Sequence, residues 1–548
     1  MGEDGAATRF LDGDIAQPAI YGRALGAAEI AARFADRGLK PAAGDAVLGA
    51  WPLTEEKGER VADVSGAGRD GTVINHATWM IGGPSLEADV PRFGAYEPAR
   101  DATRGHGLRL AADDLYDCRW SVTHRWPVPA TARSGFFVAR FDFEWEGKPR
   151  QYHCTFVVRR APNRKRAPLL LIAATNTWRA YSGTPFALTP EARHVVWGTG
   201  GIEREARGLP AFDLYRDHAA GQGSYQMGLR MPWPAAGPYV LYGGPTKYSH
   251  LARADRFTQV WLEEQGYEYD LVSDLDLHRD PSLPRGYAAM LVVGHNEYWS
   301  LPMYRGTDAY LRAGGNLVVL SGNAVFWRVS FNDAGTVMEC RKADAAGARV
   351  PAARRAEAWH SHDGLRGGML RECGFPGVDL IALDCLGFNA PGVAEQFGPY
   401  VVTNPDHFLF RRPENLGLRT GDTFGSAGDG IRLANCHEFD IRPSTFLRLQ
   451  EEAPPPGGRV PPDPANLTLL ANGQVFWQKG GTAFDYFFRR IKPKTDQGAE
   501  MIYWERPTGG RVFNAGAIGS GWVLSVDPKM SGLLRNVLAH FGVPRARP

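Results

Sequence analysis

The sequence predicts a multidomain protein in which an incomplete β domain is followed by a doubly wound α/β domain that carries the chemistry. Three observations predict it. Residues 8 to about 120 are short alternating apolar and polar runs with one helical turn among them. Three later runs, Pro168–Ala174, Tyr287–Val293 and Asn316–Leu320, are continuously apolar, as strands buried on both faces are. Helical stretches separate the later runs, and each run breaks at once into polar side chains, which is how a parallel sheet delivers ligand-type residues at its carboxyl edge.

At 548 residues the chain has room for three or four domains of ordinary size. Its 44% hydrophobic and 22% charged residues are those of a soluble globular protein. With 62 basic and 60 acidic residues, the charge balance points to neither a nucleic-acid nor a membrane partner. The basic clusters Arg159 to Arg166 and Arg354-Arg355 are short and read as solvated loops. No run reaches the length of a membrane span, and Met1-Gly2-Glu3-Asp4 has neither the basic start nor the apolar core of an export signal. Six cysteines, at 118, 154, 340, 373, 385 and 436, form no C-x-x-C pair, so free thiols and a cytoplasmic location are expected.

In the front part, Arg9–Ala16 alternates around a turn, Leu25–Phe34 is helical, and Val47–Trp51 and Asp70–Val73 mark strands. The run from Phe10 to Ile30, F-x-x-G-x-I-A then Y-x-R-A-L-x-x-x-E-I, resembles the closing portion of laminin-G or concanavalin-like jelly rolls. Such a sandwich should have several strands before this point. Either the chain is short at this end or part of the sandwich comes from elsewhere. No cluster of ligand-type residues marks a carbohydrate or calcium site there.

Strands continue at Gly135–Phe141 and Tyr152–Val158, and the α/β domain begins with Pro168–Ala174, breaking into Thr175–Tyr181. The stretch to about 235 is irregular and aromatic and contains Phe212–His218. Ala252–Gly266 reads as an amphipathic helix with Phe257, Val260, Trp261 and Leu262 on its apolar side, stopped by Gly266. A strand at Tyr267–Val272, the run ending at Val293, a helix Met303–Ala313 stopped at Gly314-Gly315, and the strand Asn316–Leu320 imply right-handed crossovers and a mostly parallel sheet. From 340 to 480 the pattern is irregular, with His360-Ser361-His362-Asp363, a strand-turn piece at Asn435–Asp440 and a proline-rich linker at 453–464. The end is regular again: a strand at Arg511–Gly516, a loop at Gly519–Gly521 and a closing helix from Ser531 to Phe541.

The strand of the second run ends in Gly294-His295-Asn296-Glu297-Tyr298-Trp299-Ser300. If the backbone stays extended, His295 and Glu297 leave the same face and converge, enough to begin a metal site or an acid/base pair. An isolated H-x-E also serves simply to hydrogen-bond a neighbouring loop. Phosphate-loop, H-E-x-x-H and G-x-S-x-G motifs are absent, which disfavours nucleophilic serine or cysteine catalysis. The remaining polar groups at strand ends are Tyr181, Tyr215, His295, Glu297, Asn323 and Glu438. Phenolate plus carboxylate suits a hard, highly charged cation such as ferric iron, although most tyrosines are half-buried aromatics with a hydrogen-bonded hydroxyl.

The motifs D-L-D-L-H (274–278), G-H-N-E-Y-W-S (294–300) and G-G-N-L-V-V-L-S-G-N-A-V-F-W-R (314–328) resemble the large subunit of the N,N-dimethylformamidase family. D-D-L-Y-D (113–117), T-W-x-A-Y (177–181), L-Y-R-x-H (214–218) and G-R-V-F-N-A-G-A-I (510–518) extend the resemblance over most of the chain from about residue 10. It implies a jelly-roll domain, here 1–120, followed at 121–548 by an α/β domain similar to class I glutamine amidotransferases, with irregular insertions at about 340–480. It also implies a mononuclear iron, Fe(III), held by two tyrosines and a glutamate. Glu297 matches the glutamate and Tyr215 one tyrosine; Tyr181 matches the other, with Tyr225 as the alternative. His295 then corresponds to a histidine beside the metal, Asn323 to an asparagine that touches substrate, and Glu438 to a distant acid acting as base.

The implied reaction is hydrolysis of a small N-substituted formamide such as N,N-dimethylformamide, with Trp178, Trp299 and Trp327 as candidates for an apolar wall; buried core packing is the other reading of these rings. A small helical subunit and a homo-oligomer of large subunits are implied partners. Two other readings stay open: an amidase with the same iron site and a larger amide or carbamate substrate, and a non-catalytic binding or assembly protein.

Overall fold

The computed structural model describes residues 10–37, 40–74, 77–81, 106–145, 147–181, 214–215, 218, 224–231, 233, 236–238, 250–342, 359–389, 394–428, 432–455 and 457–546. Arg354-Arg355 and the whole of 182–213, with Phe212 and Asp213 in it, therefore lie outside the described residues, as do Arg216 and Asp217. The chain forms two compact units. One comprises Met1–Arg119, Glu203–Met231 and Trp327–Gly374, the other Trp120–Ile202, Pro232–Phe326 and Phe375–Pro548.

The first unit is built of short antiparallel pieces. Gly13–Ile15, His106–Leu110 and Thr78–Ile81 form a three-stranded sheet, Ala19–Tyr21 pairs with Val47–Ala50, and Arg60–Val61 pairs with Gly71–Thr72. Leu53, Val73, Trp79 and Leu108 close an apolar cluster over them. The helix Ala27–Asp36 buries none of its residues. In the same unit Trp327–Phe331, Val337–Glu339 and Gln226–Gly228 pair antiparallel around the fully buried Glu339–Arg341 ion pair.

The second unit is organised by one nine-stranded sheet. Its elements in chain order are β1 (Leu169–Ala173), α1 (Thr175–Ala180), α2 (Ala252–Glu264), β2 (Tyr269–Ser273), α3 (Asp274–Arg279), β3 (Ala289–Gly294), β4 (Tyr298–Ser300), α4 (Leu301–Arg312) and β5 (Asn316–Ser321). There follow β6 (Asp384–Phe388), β7 (Tyr400–Val402), β8 (Thr423–Phe424), β9 (Glu438–Ile441), β10 (Leu467–Gln474), β11 (Gln497–Glu505), β12 (Arg511–Asn514) and α5 (Pro528–His540). The sheet order is β2-β1-β3-β5-β12-β11-β10-β7-β8. From β2 to β12 every pairing is parallel. Every residue of β1, β3 and β5 is buried, as their unbroken apolar runs require.

From β12 to β8 the pairings are antiparallel, so the expectation of a mostly parallel sheet holds for only half of it. The reason is that no crossover α-helix joins β10 to β11 or β11 to β12: the first connection carries two short strands of another sheet and the second is a tight turn, and antiparallel neighbours can be linked that way. The expected apolar face of α2 also needs correction. Trp261 and Leu262 are buried, but Val260 is 41% exposed, and Asp255, Thr258 and Gln259 take its place on the buried side. β9 lies in a second small sheet, paired with β6. No helix among the described residues is long and apolar enough to cross a membrane, and all six cysteines are free.

Candidate active site

The site grows from the end of β3. Gly294 has φ +66°, so the strand turns instead of running on extended, and His295, Asn296 and Glu297 follow in irregular backbone before β4. Glycine is needed there twice over: an L side chain rarely adopts this φ, and a Cβ would lie 1.9 Å from Asp255 Oδ1. Backbone hydrogen bonds fix the three residues. Asn296 N–H donates to Ser321 Oγ (3.1 Å), Glu297 N–H to Thr177 Oγ1 (3.1 Å), and the Asn296 and Glu297 carbonyls accept from Val325 N (3.1 Å) and Phe326 N (3.0 Å).

The side chains meet despite the turn. His295 is fully buried and Glu297 nearly so, with His295 Nε2 3.2 Å from Glu297 Oε2. Tyr181, the residue that ends α1, donates its phenol to the same Glu297 oxygen at 3.3 Å. From the first residue of β9, Glu438 brings its Oε2 to 2.5 Å from His295 Nε2. Four of the six expected residues thus converge although they come from different strand ends.

Asn323 stands just past β5 at φ +49°, its N–H donating to Asp440 Oδ1 at 2.6 Å. Its own amide oxygen is buried and has no hydrogen-bond partner among the described residues. Tyr215 belongs to the first unit, where the Lys342 ammonium lies 4.0 Å from the centre of its ring, and Tyr225 in that unit lies under the Arg341 guanidinium at 4.8 Å. Trp299 is completely buried and donates to the Asn296 carbonyl (3.0 Å), while Trp178 packs against Phe136 and Trp233. Both are core rings. Trp327, of the first unit, is 6% exposed.

Two histidines join the cluster without having been expected in it. His250 Nδ1 lies 3.0 Å from His295 Nδ1, so one of the two rings donates to the other, and its ring centre is 4.7 Å from those of both Tyr181 and His437. Burial, helped by His437 and His295, pushes His250 well below the ordinary imidazole range. Burial also takes His437 down to about 4, against the opposing pull of Glu438. Both rings are therefore neutral at pH 7. Nothing in the sequence around His250 signals its place here; Asp255, Thr258 and Gln259 show only that the buried face of α2 is not a plain core face.

Chemically the arrangement offers a carboxylate and a phenol oxygen on adjacent corners, as two ligands of one hard cation would be spaced, with an imidazole and a second carboxylate beside them. Among the described residues no group of three or more His, Cys, Asp or Glu side chains is arranged to hold a metal.

The model for the N,N-dimethylformamidase beta subunit-like family, C-terminal part, matches residues 89–532. Among similar proteins, the N,N-dimethylformamidase beta subunit of an Alcaligenes species is 26% identical, the alignment covering 97% of this chain and 68% of the relative. The N,N-dimethylformamidase beta subunit of Paracoccus aminophilus is 24% identical over the same shares of the two chains. The match spans most of the chain, including every residue of the cluster, and the chain belongs to the N,N-dimethylformamidase beta subunit-like family.

Proposed function

We propose that this chain is the large subunit of an iron-dependent amidohydrolase that converts N,N-dimethylformamide, or a similar small N-substituted formamide, to formate and amine. The family membership makes it a hydrolase of amide C–N bonds. The observation that carries the finer reading is the convergence of Tyr181, Glu297, His295 and Glu438 within 2.5–3.3 Å at the buried end of β3.

Tyr181, Tyr215 and Glu297 would hold the iron, which when bound supplies a Lewis acid that polarises the amide carbonyl and acidifies water. The chain's own residues do the rest. Glu438 accepts a proton from the attacking water as the new C–O bond forms. The Asn323 amide donates to the oxygen on which charge develops, while His295, with Nε2 turned toward both carboxylates, holds Glu438 beside Glu297 and shares a proton with them. When the C–N bond breaks, the proton held on Glu438 passes to the departing nitrogen. A tertiary formamide has no N–H to satisfy, so burial around the cluster costs the substrate little.

The same reading takes the antiparallel front unit as the partial jelly roll and the mixed sheet as the amidotransferase-like domain. The name beta subunit, carried by both relatives, supports a second kind of subunit; a small helical partner and a homo-oligomer of large subunits belong to the proposal. Six free thiols favour a cytoplasmic location.

Metal analysis joined to a formate-release assay tests the proposal. Wild-type protein is expected to carry stoichiometric iron and to release formate. Glu297→Ala should lose both, and Tyr215→Phe should also lose a phenolate-to-iron visible band. Purified wild-type protein without stoichiometric iron overturns the mechanism, and amine release from larger amides or carbamates with no formate from small formamides overturns the substrate.

A further inference from the structure

We propose that Asp255 and Asp274 are positioning residues, a double carboxyl clasp that holds the first turn of α1 and so fixes Tyr181 against Glu297. The inference rests on the site reading above and deepens it.

The helix that presents Tyr181 is too short to hold itself. It has six residues, isolated helices shorter than about 12 residues are marginal in water, and Ala174 at its start offers no side-chain cap. Its open amides are capped instead from two other helices. Ala174 N–H donates to Asp255 Oδ2 of α2 at 2.9 Å, and Asn176 N–H to Asp274 Oδ2 of α3 at 2.8 Å. Asp255 Oδ1 fills the space that a side chain at Gly294 would need. Between them, Thr177 Oγ1 accepts from Glu297 N–H (3.1 Å) and Asn176 Nδ2 donates to the Tyr298 carbonyl (3.1 Å). The two acids therefore hold the turn that Thr177 and Asn176 tie to the segment after β3, and the placement of that turn sets the Tyr181–Glu297 contact.

Neither carboxyl is more than 1% exposed. Burial raises Asp255 well above the usual carboxyl range and Asp274 to about 8, so at neutral pH the clasp holds protons in place of two unpaired charges. A merely packed position would accept leucine, which has the same branched heavy-atom skeleton in a bulkier form and no acceptor. That difference is what the test uses.

Asp255→Leu, Asp255→Asn, Asp274→Leu and Asp274→Asn are compared with wild type by hydrogen exchange of the peptide covering residues 172–181 and by steady-state formamide hydrolysis. The leucine variants should exchange the Ala174 and Asn176 amides about tenfold faster or more, because the acceptors of those N–H groups are gone. Their kcat should fall roughly 10–100-fold with KM within about threefold, since a misplacement of about 1 Å costs rate before binding. The asparagine variants keep an acceptor oxygen and should stay within about threefold of wild type in both. Leucine variants with wild-type exchange and kcat overturn the proposal, as do asparagine variants as damaged as leucine.

If the leucine variants do not fold, Asp255→Glu displaces the acceptor by one methylene in a side chain of the same chemistry. It should give faster exchange and lower kcat, and unchanged values overturn the clasp. If wild-type protein releases no formate from any formamide, the proposed function falls, and the exchange rates alone then decide the clasp.

Discussion

Replacing Gly294 by alanine tests the geometry of the site without reference to its chemistry. Two costs can be read from the structure. The residue sits at φ +66°, and an L residue held in the left-handed region costs roughly 1–2 kcal/mol. The new methyl would also lie 1.9 Å from Asp255 Oδ1, 3.1 Å from its Cγ and 3.2 Å from its backbone nitrogen, so α2 or the turn has to move by more than a bond's slack. Overpacking of a buried contact costs typically about 1–3 kcal/mol, which brings the expected loss to roughly 2–5 kcal/mol. The assay is urea unfolding of wild type, Gly294→Ala, Asp255→Ala and the double variant, compared by midpoint and slope. Only the steric part depends on Asp255. In the Asp255→Ala background the alanine should therefore cost no more than the roughly 1–2 kcal/mol of backbone strain, leaving a coupling of about 1–3 kcal/mol. A Gly294→Ala penalty below about 1 kcal/mol, or one that is unchanged by removing Asp255, refutes the close approach of α2 to the turn.

Three further outcomes are expected. Glu438→Gln keeps the volume but cannot take up a proton 2.5 Å from His295, so iron content should hold while kcat falls about 10²–10⁴-fold; unchanged turnover removes Glu438 from the mechanism. The Asp274 carboxyl, raised from 3.8 to about 8 mainly by burial, is protonated in the folded chain and ionised in the unfolded one between those values. Its contribution is full below the unfolded value and lost as pH rises through the folded one. Wild-type stability should thus fall with pH across that window by up to about 1.4 kcal/mol per unit more than that of Asp274→Asn, measured as urea midpoints at pH 5 and 8; parallel curves contradict the shift. In the first unit Glu339 and Arg341 are both fully buried 2.6 Å apart, so Glu339→Gln, which leaves the guanidinium without its countercharge, should cost about 3–5 kcal/mol in thermal or urea unfolding, and a loss under about 1 kcal/mol counts against a charged pair.

Much of the second unit was legible because burial on both faces leaves an unmistakable mark. The runs that became β1, β3 and β5 are apolar at every position but the first of β5 and the polar residues at their ends, and the H-x-E that follows β3 lands where a parallel sheet exposes its carboxyl edge. What escaped was governed by contacts distant in sequence. Hydrophobic periodicity assigned the buried side of α2 to Phe257, Val260, Trp261 and Leu262, a sound rule for a helix lying on a plain core. This helix covers the polar end of the sheet, so Asp255 and Thr258 are fully buried while Val260 faces water. His250 escaped for the same reason: nothing in the residues around it announces a partner in His295. The antiparallel half of the sheet was hidden because β10, β11 and β12 alternate no more clearly than buried parallel strands do, and only the lack of crossover α-helices between them tells the two apart.

The acids of the second unit divide by what they bind, and the division separates scaffold from chemistry. Asp255, Asp274 and Asp440 each accept from backbone N–H groups: Ala174, Asn176, and the pair Asn323 and Ala324. Such bonds spend a carboxyl on holding two chain segments together. Asp440 does so for β9, and because side chains alternate along a strand, Glu438 two residues earlier points to the same side. The grip on Asn323 and Ala324 therefore also delivers Glu438 to the end of the parallel sheet, where Gly322 packs so closely on the Glu438 carbonyl that a Cβ there would come within 2.3 Å. Glu297 and Glu438 instead meet a phenol and an imidazole, groups that can move a proton or share a cation. A carboxyl that grips peptide N–H groups loses its effect when the acceptor is lost and keeps it as asparagine; one that faces titratable side chains should lose it on amidation alone. The contrast between Asp255→Asn and Glu438→Gln, two equally small changes in one buried cluster, is thus the sharpest separation of frame from function that this site allows.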